Sequence, residues 1–252
     1  MTSNNEDKVV ALVTGGIGGI GSAICEQLAA QGRTVVAGYY PAEAEQAKQW
    51  QASMSEAGLD MGIVPGDVAD YDSTTAMISA VREQYGPIQI LVNCAGITRD
   101  GTLAKMERDN WHAVIDTNLN SVFNVTRQVL VDMTTAGFGR IVNLSSVNGQ
   151  KGQFGQTNYA AAKAGMHGFT MSLAQEVARK GVTVNTVAPG YIKTLMTDAV
   201  PEHIREAIIA TIPVGRMGLP KEIADTVAFL CRDESAFITG AQIPVNGGMY
   251  TS

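Results

Sequence analysis

Short apolar runs alternate along this chain with longer stretches whose apolar positions recur every three or four residues. Val9–Val13 is a β-branched run that ends in a glycine cluster, and Ala23–Ala30 then shows helical rather than alternating spacing. The same reading predicts strands at Thr34–Ala37, Met61–Val64, Ile88–Val92, Arg140–Leu144 and Val182–Val187. Between them it predicts a helix-rich stretch after Ala37, helices at Ser73–Tyr85 and about Asn158–Arg179, and a helical region from Glu107 to Met133. Pro189, Pro201 and Pro213 break the following region, before a last helix over Lys221–Cys231 and a final strand at Gln242–Val245. Buried strands alternating with helices imply a parallel sheet covered on both faces, because parallel strands need crossover connections. The chain shows no linker, low-complexity segment or short-period repeat, so we expect one doubly wound α/β domain over residues 1–252.

Composition narrows the function classes. A formal net charge of −6 lacks the basic footprint of a protein that grips a nucleic-acid backbone, so no nucleic acid is expected as a partner. Cys25, Cys94 and Cys231 are odd in number and far apart, which argues against a disulfide framework or zinc ribbon and fits a reducing compartment. His112, His167 and His203 are isolated, and no metal site is expected. Met1–Lys8 is polar, and no apolar run reaches the roughly 18 residues that span a bilayer. The expectation is a cytoplasmic protein without membrane partners.

Two constellations carry chemistry. Thr14-Gly15-Gly16-Ile17-Gly18-Gly19-Ile20-Gly21 joins the first strand to the first helix. Glycines there permit a tight turn and close approach of backbone to a ligand, and a helix N-terminus offers unpaired N–H groups to a pyrophosphate. The alternative is a glycine-rich turn that binds nothing; a P-loop is excluded because no Gly-Lys-Ser/Thr follows. Tyr159 and Lys163 lie at i and i+4 of a predicted helix and share a face. A phenol ordinarily titrates near 10, so a neighbouring ammonium that favours the phenolate suits it to proton exchange, whereas the bland reading is a surface pair.

Thr-Gly-x-x-x-Gly-x-Gly resembles the motif of the short-chain dehydrogenase/reductase family, and the resemblance runs the length of the chain. It implies a Rossmann-type fold, a nicotinamide cofactor, and catalytic roles for Asn118, Ser146, Tyr159 and Lys163. Ser146 stands thirteen positions before Tyr159 as in the family motif, whereas the neighbouring Ser145 does not match it. The resemblance implies that Tyr159 protonates the developing alkoxide and Ser146 orients the same oxygen. Lys163 would lower the tyrosine pKa and hold the nicotinamide ribose, and Asn118 would support a water relay. The implied cofactor contacts are Gly15, Ile17, Gly18, Gly19, Ile20 and Gly21; Tyr39 and Tyr40; Gly66, Asp67 and Val68; Asn93, Ala95 and Gly96; Tyr159 and Lys163; and Pro189, Gly190, Ile192 and Thr194. Cys94 departs from the commonest residue of its motif, with little effect expected. Asp67 could instead cap a turn or the helix that follows.

An acidic residue near the end of the second strand would accept the ribose hydroxyl of NAD, and positive charge there would accept the phosphate of NADP. Gly38-Tyr39-Tyr40 is neither. The missing acid slightly favours NADP(H), with NAD(H) open, since Glu43 and Glu45 lie close by and Lys48 is the nearest downstream base.

The segment from Ser145 to Tyr159 is similar to that of the family's acetoacetyl-CoA reductases of polyhydroxybutyrate synthesis, which implies reduction of acetoacetyl-CoA to (R)-3-hydroxybutyryl-CoA. By that resemblance Asp100, Ser146, Gln153, Phe154, Gln156 and Tyr191 line the acyl pocket and Lys105 meets the coenzyme A portion. The alternative reading makes the loop a polar surface and Phe154 core. Reductases of 3-oxoacyl-acyl carrier protein are the competing assignment, and a catalytically silent nucleotide sensor is a more distant one. Met133–Gly139 lacks the clustered Lys and Arg expected for an acidic carrier protein, although Arg99, Lys105 and Lys151 could serve either carrier. The stretch from Tyr191 to Gly218 resembles the family's substrate lid. Trp111, Phe123, Phe169 and Phe229 are expected in core or subunit contacts. The resemblance implies a homotetramer that buries helices 107–133 and 158–179 and places the C-terminus at an interface.

Overall fold

In a computed structural model, residues 9–194 and 201–251 are described. Their strands form one seven-stranded parallel sheet in the order β3-β2-β1-β4-β5-β6-β7. The strands are β1 (Val10–Thr14), β2 (Thr34–Tyr39), β3 (Gly62–Pro65), β4 (Ile88–Asn93), β5 (Gly139–Leu144), β6 (Val182–Pro189) and β7 (Gln242–Val245). The helices between them are α1 (Gly19–Ala30), α2 (Ala44–Glu56), α3 (Tyr71–Tyr85), α4 (Arg108–Ile115), α5 (Ser121–Ala136), α6 (Val147–Lys151), α7 (Thr157–Val177), α8 (Glu202–Ala210) and α9 (Pro220–Leu230). The winding direction reverses between β1 and β4, the switch point at which doubly wound sheets form a crevice outside the carboxyl ends of their strands.

Side-chain alternation along the strands divides the core. Ala11, Val13, Val35 and Val92 join one cluster with Ile24 and Leu28 of α1 and Ile223 and Val227 of α9. Val10, Leu12, Val36 and Leu91 face the other side, against Met77 of α3, Val125 of α5 and Leu173 of α7. Beneath the crevice a ladder of buried polar side chains crosses the sheet. Asn93 Nδ2 donates to Asn143 Oδ1 (2.8 Å), Asn143 Nδ2 to Thr170 Oγ1 (2.8 Å), and Thr186 Oγ1 to the same Thr170 hydroxyl (2.8 Å). This ladder ties β4, β5 and β6 to α7, and satisfied buried polar groups of this kind fix a unique arrangement.

The helical region 107–133 is not one helix. Between α4 and α5, Asp116–Asn120 forms a π-helical turn, a rare local widening that often accompanies functional sites. Helix α1 begins at Gly19, four residues before the expected start, because glycines carry no apolar period to read. Helices α6 and α8 appear where a loop and a proline-broken stretch were expected. Phe154 is not core: it is 87% exposed, on a glycine-flanked turn that offers no apolar surface to cover it. Phe123 and Phe229 are about half exposed.

Candidate active site

The sequence motifs converge on the carboxyl ends of β1 to β6. Thr14 Oγ1 accepts the backbone N–H groups of Cys94 and Ala95 (3.1 and 3.2 Å), drawing the end of β4 onto the glycine turn. Gly15 has φ +63°, and a Cβ there would lie 3.0 Å from Ala95 Cα, so both conformation and space require glycine. Gly19 faces Thr194, whose methyl group a Cβ would meet at 3.0 Å, so the segment after β6 folds over the start of α1.

Helix α1 has Gly18 as its N-cap, with no capping side chain and no acidic residue in its first turn. Its opening N–H groups therefore have no intrahelical acceptor and carry the positive end of the helix dipole. This uncapped glycine cradle fits a pyrophosphate, and the residues present fit a dinucleotide. Tyr39 ends β2, and Tyr40 is exposed beyond it. Gly66 follows β3, Val68 is buried, and Asp67 Oδ1 accepts Ala69 N–H (2.9 Å) in a local turn, while Asp70 caps α3. Asn93 points its amide into the polar ladder, and Ile17 is buried, so these two present backbone rather than side chain to the crevice. Pro189 ends β6; Gly190 packs so closely on Asn246 that a Cβ would fall 2.8 Å from its Cα. Ile192 pairs with Gly218 across an isolated parallel bridge.

Tyr159 and Lys163 sit in the first two turns of α7, with Lys163 Nζ 5.6 Å from the centre of the tyrosine ring. Lys163 is 3% exposed and donates to the Leu144 carbonyl (2.7 Å). Three neighbours close on it. Gly149 of α6 lies where a Cβ would be 2.8 Å from Lys163 Cβ, and a Cβ on Gly96 would lie 3.4 Å from Nζ and 2.5 Å from Asn118 Oδ1. Asn118 is fully buried in the π turn. Its Oδ1 accepts Ile97 N–H (3.2 Å), and its Nδ2 donates to Ile97 O (2.8 Å) and Val114 O (2.9 Å). Its side chain thus holds the loop after β4 against the lysine.

The two serines separate clearly. Ser145 is buried and donates to the Lys163 carbonyl (2.8 Å), with His167 Nε2 at 2.7 Å from its Oγ. Ser146 caps α6 and hydrogen-bonds Tyr159. Burial holds the Tyr159 phenol above its ordinary value, the Ser146 hydrogen bond draws it down, and the Asp100 carboxylate adds to the rise. The net direction is upward, against the depression that the i, i+4 spacing suggests. The reason is desolvation, which also brings the lysine itself down to about 8.

The loop residues divide. Asp100 Oδ2 accepts Gln156 Nε2 (2.8 Å), and Asp100 also raises Tyr191, so these three side chains gather near Tyr159. Gln153 is exposed and accepts from Lys151 (3.0 Å); Phe154 and Lys105 lie on the outer rim, in solvent. Tyr191 O accepts Gly218 N–H (2.9 Å) and Lys193 N–H reaches Gly218 O (2.8 Å), which closes the base of the 191–218 segment. Residues 195–200 of that segment lie outside the described residues. Sequence reading missed the π turn and Asn148, which leave no periodic or motif signal.

A doubly wound parallel sheet with an uncapped glycine turn and a Tyr, Lys and Ser cluster over its switch point defines a nucleotide-dependent oxidoreductase. A family described as Enoyl-(Acyl carrier protein) reductase matches residues 15–250. The chain belongs to the short-chain dehydrogenase/reductase family, as an NAD(P)H-dependent reductase. It is 59% identical to an acetoacetyl-CoA reductase of Allochromatium vinosum and 56% to one of Cupriavidus necator, in both cases over 96% of this chain and 98% of the relative. It is 46% identical to the 3-oxoacyl-acyl-carrier-protein reductase FabG of Pseudomonas aeruginosa, over 96% of this chain and 98% of the relative.

Proposed function

We propose that this protein reduces acetoacetyl-CoA to (R)-3-hydroxybutyryl-CoA with a reduced nicotinamide dinucleotide, as a step of polyhydroxybutyrate synthesis. The observation that carries the proposal is identity that reaches 59% among acetoacetyl-CoA reductases, from 47% upward, against 46–47% to two carrier-protein reductases. The end of α5 supports it, since Met133–Gly139 offers no basic landing surface for an acidic carrier. Measured side by side, kcat/KM for acetoacetyl-CoA should exceed that for acetoacetyl-carrier protein by at least about tenfold, or 1.4 kcal/mol. A preference for the carrier protein would transfer the chain to fatty acid synthesis.

The dinucleotide, when bound, supplies the hydride. The glycine turn and the start of α1 would hold its pyrophosphate, and Asp67, Val68, Ala95, Gly96, Gly190 and Thr194 would line its path to Lys163. Tyr159 gives its proton to the ketone oxygen. Ser146 donates a hydrogen bond to the same oxygen, which concentrates positive potential where negative charge develops. A phenol held above its ordinary value remains protonated at neutral pH, the state a proton donor for reduction needs. Asn118 has committed its side chain to Ile97 and Val114, so a water relay from Lys163 would use a main-chain carbonyl of the π turn. Asp100, Gln156 and Tyr191 would bound the acyl group, with Gln153 and Phe154 at its mouth. Lys105 would meet the coenzyme A portion, and the 191–218 segment would close over it.

Charge at the end of β2 bears on cofactor choice. Glu43 folds back so that its carboxylate accepts the Tyr40 N–H (3.4 Å), and Lys48 is taken by Glu45 (2.8 Å). The slight lean towards NADPH rested on a missing acid; this arrangement supplies a carboxylate and leaves no free cation on Lys48 for a 2′-phosphate. NADH is therefore expected to be used at least as efficiently as NADPH, measured as kcat/KM for each. An NADPH preference above about tenfold would contradict this account of the pocket. A homotetramer is part of the proposal, supported by exposed apolar side chains on α5 (Phe123, Val131), α7 (Met171) and at Phe237.

A further inference from the structure

Asn148, in the first turn of α6, is 8% exposed and donates two hydrogen bonds of different kinds. Its backbone N–H donates to Ser146 Oγ (3.1 Å), and its side-chain Nδ2 donates to Gln156 Oε1 (2.9 Å). Gln156 Nε2 in turn donates to Asp100 Oδ2 (2.8 Å). The polarity of this chain has one origin. An ionised carboxylate only accepts, so Gln156 must turn its NH2 group to Asp100 and its carbonyl to Asn148, and Asn148 must then present its NH2 group to Gln156. Asn148 Oδ1 is left facing away, buried and without a partner among the described residues. Reversing the Asn148 amide would set two carbonyl oxygens against each other. An orphaned buried acceptor is uncommon and marks an orientation imposed by its neighbours.

We propose that Asn148 is a positioning residue, the last link of an Asp100–Gln156–Asn148 chain that fixes the first turn of α6 and so holds the Ser146 hydroxyl on Tyr159. With one lone pair of Oγ taken by the Asn148 N–H, the Ser146 O–H proton is directed into the crevice. Two further ties keep the loop after β4 in register with this chain: Gly101 N–H to Gly155 O (2.8 Å) and Asn158 Nδ2 to Arg99 O (3.0 Å). The inference rests on the catalytic reading of Ser146 and Tyr159 given above.

The test compares the full-length parent with Asn148→Ala, Gln156→Ala, the double variant and Ser146→Ala. It measures kcat with acetoacetyl-CoA, KM for the reduced dinucleotide, and the pH profile of kcat. Asn148→Ala should lower kcat about tenfold, the effect of one net hydrogen bond, with the dinucleotide KM within about twofold of the parent. The alkaline limb should move to higher pH, because Tyr159 loses the hydrogen bond that draws its phenol down. The double variant should lose no more than the worse single. An unmoved limb, additive losses, or a kcat within about twofold of the parent would each overturn the proposal. Should Asn148→Ala not accumulate as folded protein, Gln156→Ala alone must reproduce the fall in kcat and the displaced limb, and a stationary limb there counts against it. Ser146→Ala separates the two readings. If it is inactive while Asn148→Ala is unaffected, only the positioning chain fails; if it matches the parent, the catalytic assignment falls and takes the chain with it.

Discussion

Tyr159→Phe is expected to lower kcat for acetoacetyl-CoA reduction by at least about a hundredfold, the low end of what a positioned general acid contributes. Dinucleotide affinity should stay within a few fold. The substitution removes one hydroxyl and leaves the ring on which Lys163 Nζ rests, 5.6 Å from its centre, so neither packing nor the lysine's position needs to change. What disappears is the proton donor and its hydrogen bond with Ser146. Because burial keeps the parent phenol above its ordinary value, the parent's reductive kcat should be flat through neutral pH and fall only in the alkaline range, and the variant's residual rate should lose that alkaline limb. Turnover near the parent value, with the limb intact, would move the proton donor elsewhere in the crevice.

The strands were legible in the sequence because both faces of the sheet are covered. Val182–Val187 or Ile88–Val92 can be read as buried strands without knowing their partners, and their alternation with helices implies a parallel sheet, though not the order of its strands. The catalytic cluster was legible for another reason: Tyr159 and Lys163 are one helical turn apart, and their spacing survives any uncertainty in helix boundaries. Features built from contacts across the chain were not. The π turn at Asp116–Asn120 exists to seat Asn118 on Ile97 and Val114, partners that lie 21 and 4 residues away. Gly149 is glycine because α6 lies on the backbone of Lys163, and nothing in its local sequence says so. The upward direction of the Tyr159 shift is illegible for the same reason. Spacing reports that an ammonium is near but not how much water the fold removes from both groups.

Lys163 itself carries the second large expectation, in stability rather than rate. Burial lowers it from an ordinary 10.5 to about 8, so below pH 8 the fold holds a charge that the unfolded chain holds more comfortably. Between about 8 and 10.5 the native lysine is neutral while the unfolded one still binds a proton, so stability rises with pH across that window. The full difference is on the order of 3 kcal/mol. Cys94, pushed up to about 11, and Tyr159, also raised, act in the opposite sense at alkaline pH, since the native state keeps their protons longer. Both remain in Lys163→Met, where Cys94 rises further without the ammonium that draws it down, so the difference between parent and variant reports chiefly the lysine. Measured by denaturant unfolding of dinucleotide-free protein, the parent should gain on Lys163→Met by about 2–3 kcal/mol between pH 7.5 and 10. A difference that stays level across that range would mean that the ammonium is not strained by its burial. A gain would show the fold giving up stability at neutral pH to keep a cation beneath the crevice, packed against Gly96 and Gly149 and bonded to the Leu144 carbonyl.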